Sequence, residues 1–147
     1  MKIEDLKIKK LNELATIPTY GTEFSAGADL YAAIPDDIEI IPGDTIMIGT
    51  GLAMEIPEGF VGLIFARSSL GSKKGLAPAN KVGVIDSDYR GEIKVPLFNH
   101  SNSTQTIAKN ERIAQIIFTP FLKANFIETN ELNDTIRGTG GFGSTNK

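Results

Sequence analysis

The apolar residues of this chain fall in short runs that alternate with polar residues and are cut by Gly, Pro, Asn and Asp. Side chains alternate across an extended strand, so this pattern favours many short strands over a few long helices. Candidate strands cover 5–11, 27–33, 37–41, 44–48, 51–56, 60–65, 81–86, 91–98, 104–108, 112–118 and 123–127. Many short strands at close spacing predict an all-β sandwich, barrel or jelly roll. The stretch Glu111-Arg112-Ile113-Ala114-Gln115-Ile116-Ile117 has helical propensity, but its β-branched isoleucines and Pro120 predict a strand. A short helical turn is expected between Arg67 and Gly71. The 147 residues suit one domain, here 1–128, followed by a tail over 129–147.

The side-chain inventory removes several chemistries. There is no cysteine and one histidine, His100, in the turn-like Phe98-Asn99-His100-Ser101. Disulfides, thiol nucleophiles and Cys/His zinc sites are therefore excluded, and zinc-dependent deamination with them. A hydrolytic base is expected to be a carboxylate, and a metal to be a hard ion held by oxygens. The formal charge of −3 disfavours a polymeric nucleic acid, which needs a Lys/Arg surplus. Met1-Lys2-Ile3-Glu4-Asp5 carries no signal-peptide apolar run and no stretch is long enough to span a membrane, so a cytoplasmic location is expected.

Four stretches combine residues that handle phosphate or move protons. Ala26-Gly27-Ala28-Asp29-Leu30-Tyr31-Ala32-Ala33 sets one Asp in a small, apolar strand. Either Asp29 faces solvent at the strand start, or it needs an Arg or metal-bound water as partner. Ala66-Arg67-Ser68-Ser69-Leu70-Gly71-Ser72-Lys73-Lys74-Gly75 is either a polar loop or a phosphate site built from Arg and small hydroxyls. Val82-Gly83-Val84-Ile85-Asp86-Ser87-Asp88-Tyr89-Arg90-Gly91-Glu92 reads as a hairpin. If Val82, Val84 and Asp86 share an apolar face, Asp86 is partly desolvated and suited to act as a base; otherwise Asp86 and Asp88 cap the turn. The tail Arg137-Gly138-Thr139-Gly140-Gly141-Phe142-Gly143-Ser144-Thr145 combines a guanidinium, glycines and one aromatic ring. It is either a frayed end or a segment that wraps phosphates and covers a base. A Walker A loop is excluded, because Ser144 stands where its Lys belongs and no helix follows.

Taken in order, these stretches, together with Asn80 ahead of the hairpin and Glu111–Gln115, resemble the five motifs of trimeric deoxyuridine triphosphatases (dUTPases). The resemblance runs from about residue 9 to 145. Ala66, often a Pro in the family, is the one visible variation. The resemblance implies a jelly-roll subunit and a homotrimer with active sites shared between subunits. It implies hydrolysis of dUTP to dUMP and pyrophosphate, which limits uracil in DNA and supplies dUMP for thymidylate synthesis. Asp86 matches the base that activates water for attack at the α-phosphorus. Asn80 and the backbone at Gly83 and Ile85 match the uracil contacts, and Tyr89 the face that excludes a 2′-hydroxyl. Arg67, Ser68, Ser69 and Gln115 match phosphate contacts. Arg137 matches the γ-phosphate contact, and Phe142, with Gly143 and Ser144 beside it, the ring that stacks on uracil. Mg²⁺ is the implied cofactor, held mainly by substrate phosphates, with Asp29 reaching it indirectly through metal-bound water. Three rival readings remain at this point: a dCTP deaminase, which shares the jelly roll; a trimeric binding protein; and a structural jelly roll.

Overall fold

The structure is a computed structural model that describes residues 5–141. Among these are twelve strands and one short helix: β1 (Lys7–Lys10), β2 (Thr19–Tyr20), β3 (Ala28–Tyr31), β4 (Ile38–Ile40), β5 (Thr45–Gly49), β6 (Leu52–Glu55), β7 (Phe60–Phe65), α1 (Ser68–Lys74), β8 (Leu76–Pro78), β9 (Gly83–Ile85), β10 (Lys94–Asn99), β11 (Gln105–Ile107) and β12 (Arg112–Pro120). All pairings are antiparallel. A five-stranded sheet runs β2-β3-β12-β7-β9 and a three-stranded sheet runs β5-β10-β8, with the pairs β1-β6 and β11-β4 beside them. The architecture is all-β and jelly-roll-like, as the strand pattern predicts. No helix among the described residues is long and apolar enough to cross a membrane.

One core holds the sheets together. Leu30, Ile48, Leu52, Val95, Leu97, Ile113 and Ile116 are among its fully buried side chains. Each contributes about 1.5–3 kcal/mol of burial free energy. Glu111–Ile117 lies in β12 and its approach, so the branched isoleucines prevail over helical propensity. The short helix is present and longer than expected, reaching Lys74.

Three elements differ from the sequence expectation. β2 and β8 have two and three residues, too few for a period to register. Residues 123–127 form no strand. Phe126 and Ile127 are 93% and 80% exposed, because among the described residues no strand lies alongside to accept their backbone hydrogen bonds or cover their side chains. The last strand ends at Pro120, and 121–141 holds no regular element.

Two polar devices fix the connections that carry α1. Asn99, buried at the end of β10, donates through Nδ2 to the Ile40 and Ser103 carbonyls, both at 2.8 Å. Its Oδ1 accepts from the Ser101 N–H at 2.8 Å and the Ser101 hydroxyl at 2.7 Å. Gly75 then seats the C-terminus of α1 on this turn. Its φ of +63° is in the left-handed region, and a Cβ there would lie 2.9 Å from Ser101 Cβ. The Gly75 carbonyl accepts from the His100 N–H at 2.8 Å. Replacing Asn99 by Ala removes four hydrogen bonds that tie β4 to the turn after β10, while the Ser101 hydroxyl and the Ser103 carbonyl keep each other as partners. The expected cost is about 3 kcal/mol, read as a shifted midpoint in urea denaturation.

Candidate active site

The outer face of the five-stranded sheet carries a cationic groove. Ala28 and Leu30 of β3 point into the core, so Asp29 between them faces the other way. Asp29 lies opposite Gln115 on β12, and Gln115 lies opposite Phe65 on β7. Two residues beyond Phe65 the chain reaches Arg67, which directly precedes α1. Arg67 Nε donates to Asp29 Oδ1 at 2.7 Å, and its Nη1 to the Ser69 hydroxyl at 3.2 Å. Arg112 Nη1 donates to Asp29 Oδ2 at 3.2 Å. Asp29 is 8% exposed, so the solvent-facing alternative fails and the partnered one holds.

A β-bulge brings Arg112 to this face. Residues 112 and 115 are an odd number of positions apart and would point to opposite faces of a regular strand. Between Arg112 and Ala114 the register shifts, with Arg112 opposite Tyr31 and Ala114 opposite Leu30. Ile113 and Ala114 are consequently both buried, and Arg112 and Gln115 both face Asp29. Arg112 lies within the Glu111–Gln115 stretch, where no feature of the sequence gives it a role. Nothing local signals the bulge, and its partner Asp29 lies 83 residues away.

The resulting groove encloses about 390 Å³ between Gly27, Asp29, Arg67, Ser68, Arg112 and Gln115. Gln115 Nε2 donates to the Ala66 carbonyl at 2.8 Å. A Cβ at Gly27 would displace the Gln115 side chain, whose Cδ would lie 3.1 Å away. The Ser68 side chain is exposed and free to meet a ligand. Guanidinium, hydroxyl and amide donors gathered this way suit an oxyanion.

The second set of predicted residues lies at the far edge of the same sheet. Asn80 sits beside Gly83, with Nδ2 3.5 Å from where a Gly83 Cβ would be. Gly83 and Ile85 turn toward the body, whereas Val82, Val84 and Asp86 are exposed. The expected desolvation of Asp86 by an apolar face is therefore absent within one chain. A Cβ at Gly83 would lie 3.2 Å from Ile64 Cβ, so the glycine takes the inward position. Asp86 lines a different and larger cavity of about 860 Å³, with Lys7, Glu58, Asp88, Arg90 and Lys123.

Arg137 is exposed in a local turn, its Nε donating to the Gly140 carbonyl at 2.8 Å. Phe142, Gly143 and Ser144 lie outside the described residues. Among the described residues no group of three or more His, Cys, Asp or Glu side chains is gathered to hold a metal.

This geometry defines an all-β protein with a groove whose guanidinium, hydroxyl and amide donors suit an oxyanion. The dUTPase family model matches residues 13–146, and the chain belongs to that family. It is 54% identical over 142 residues to the deoxyuridine 5'-triphosphate nucleotidohydrolase of Nautilia profundicola, covering 97% of this chain and 99% of that one. Among solved structures it resembles the Staphylococcus bacteriophage 80alpha dUTPase with dUPNHPP. The TM-score is 0.89 and the identity 26%, over 99% of this chain and 100% of that one. A point mutant of the dUTPase from phage phi11 of S. aureus shares the fold, with a TM-score of 0.77 and 24% identity over 87% and 98% of the chains. That protein is described with a structural Mg(II) ion.

The shared carboxylate makes a stability prediction. Asp29→Ala leaves Arg67 and Arg112 without their anion and should cost on the order of 3 kcal/mol in urea denaturation. Arg112→Ala removes the half-exposed partner and should cost about 1 kcal/mol or less.

Proposed function

We propose that the chain hydrolyses dUTP to dUMP and pyrophosphate, with Asp86 as general base, in a homotrimer whose active sites combine residues of different subunits. The observation that carries this reading is the separation of the two residue sets on one sheet. Ile85 lies opposite Gly62, three residues along β7 from the position facing Gln115. With strands about 4.8 Å apart and about 3.4 Å per residue, Ile85 lies roughly 14 Å from Gln115 and roughly 18 Å from Asp29. Asp86 lies one residue further on. Attack on a phosphorus needs the reacting atoms about 3–3.5 Å apart. Asp86 and the cationic groove of one chain therefore cannot serve the same phosphate, and a second copy must bring the missing half.

Each half has its own chemistry. Among the described residues β9 is an edge strand, so the backbone groups on its outer side have no strand partner there. Those donors and acceptors, with the Asn80 amide, fit the edge of uracil and mismatch cytosine. Tyr89 stands beyond Asp86 and presents its ring to the deoxyribose, where an added 2′-hydroxyl would clash. In the groove, Arg67, Ser68, Ser69 and Gln115 hold the phosphates. Asp86 accepts a proton from water as the water oxygen bonds to the α-phosphorus. The bond from that phosphorus to the bridging oxygen breaks, and pyrophosphate leaves. The arm over 129–147 brings Arg137 to the terminal phosphate and Phe142, Gly143 and Ser144 over the base, excluding water.

The residues present fit a Mg²⁺ carried in on the triphosphate. A carboxylate offers about four acceptor sites. The two arginines occupy two of those on Asp29, which leaves capacity for metal-bound water. When bound, the ion offsets charge on the phosphate oxygens.

Asp86→Asn tests the base. The variant should still bind dUTP while pyrophosphate release slows by about 10²–10⁴-fold. A rate near wild type would remove Asp86 from this role.

A further inference from the structure

The face that Tyr89 offers is held in place by its neighbours in the hairpin. Tyr89 Oη donates to the Glu92 carbonyl at 3.0 Å. The ring lies over Gly91, where a Cβ would come within 2.6 Å of Tyr89 Cζ and 2.9 Å of Cε2. Gly91 is not among the glycines with positive φ. Space for the ring, rather than backbone conformation, is what requires glycine there.

Glu92 is itself anchored to the body. Its Oε1 accepts from the Gly51 N–H at 3.0 Å, and its Oε2 lies 3.5 Å from Lys94 Nζ. Gly49 is a glycine where any Cβ would strike Glu92 Oε1. The next residue, Ile93, is buried, and its carbonyl accepts from the Thr50 hydroxyl at 2.7 Å and the Thr50 N–H at 3.1 Å. The Ile93 N–H donates to the Leu52 carbonyl at 2.8 Å. A continuous set of contacts therefore runs from the buried β5–β6 turn to the Tyr89 hydroxyl.

We propose that Gly91 is a specificity-determining position of the dUTP site, acting through Tyr89. It provides the room in which the ring lies back along the hairpin with its hydroxyl on the Glu92 carbonyl. A steric wall discriminates only when it cannot yield. An untethered tyrosine at 44% exposure would rotate away from an added hydroxyl at little cost. The tether and the packing on Gly91 remove that freedom. The inference rests on the reading of Tyr89 as the sugar wall.

The test is the ratio of kcat/KM for dUTP over UTP, measured on the full-length assembled protein. Gly91→Ala expels the ring and should narrow the ratio by about tenfold or more. Tyr89→Phe keeps the ring, adds no bulk and removes only the tether, so it should narrow the ratio by less. In a Tyr89→Ala background, Gly91→Ala should add no further narrowing, since no ring remains to displace. A ratio that Tyr89→Ala narrows but that Gly91→Ala and Tyr89→Phe leave at the wild-type value overturns the inference alone. A ratio that Tyr89→Ala leaves unchanged overturns the wall reading and the inference with it.

Discussion

The carboxylate of Asp29, shared between Arg67 and Arg112, is the interaction on which the phosphate side of this protein depends. It joins three pieces of chain that meet only in the folded sheet: β3, the entry to α1, and the start of β12. Each piece is set by a separate backbone device. The bulge at Ile113 turns Arg112 to the outer face, Gly27 makes room for Gln115, and Gly75 seats α1 against the turn held by Asn99. The arginines pair with the Asp29 side chain in a place where an unpaired charge would be costly. Asp29 in turn orients Arg67 before any ligand arrives. Pre-set donors need no rearrangement when a phosphate binds, which is the condition for electrostatic catalysis.

The same sheet that organises this groove also keeps it away from Asp86. β12 and β7 lie between β3 and β9, so the two sets of residues are fixed on a rigid frame at opposite ends. A loop motion within one chain would have to overcome the pairing of β9 on β7 to bring them together. The proposed assembly would meet the constraint without strain, because a second copy could present its own half to the first. The exposed face of Val82 and Val84 beside Asp86 is consistent with such a role, as are the bare Phe126 and Ile127 beyond the last strand.

Most of the fold is legible in the sequence, because period-two alternation and turn residues are local signals. The strand at Arg112–Pro120 follows from its branched residues, and a helical turn is expected after Arg67 although its extension to Lys74 is not. What is not legible depends on partners distant in sequence. Residues 123–127 carry a strand-like pattern with no neighbouring strand to use it. The inward turn of Gly83 depends on Ile64 across the sheet. The candidate site divides the same way. Asp29, Arg67 and Gln115 stand out as charge or amide among small and apolar residues, and the structure gathers them. Arg112 looks like an ordinary charged strand start until the bulge and the pairing with β3 are known.

The central claim is that no single chain holds a complete active site. The direct measurement uses two inactive variants, Asp86→Asn and Arg67→Ala, unfolded and refolded together in equal amounts. If each site takes Asp86 from one subunit and Arg67 from another, random mixing leaves roughly a quarter of sites with both residues intact. Pyrophosphate release from dUTP should then recover to about a quarter of the wild-type rate, while each variant alone stays inactive. Hetero-oligomers that form, as shown by mass spectrometry, and yet recover no activity would contradict the account.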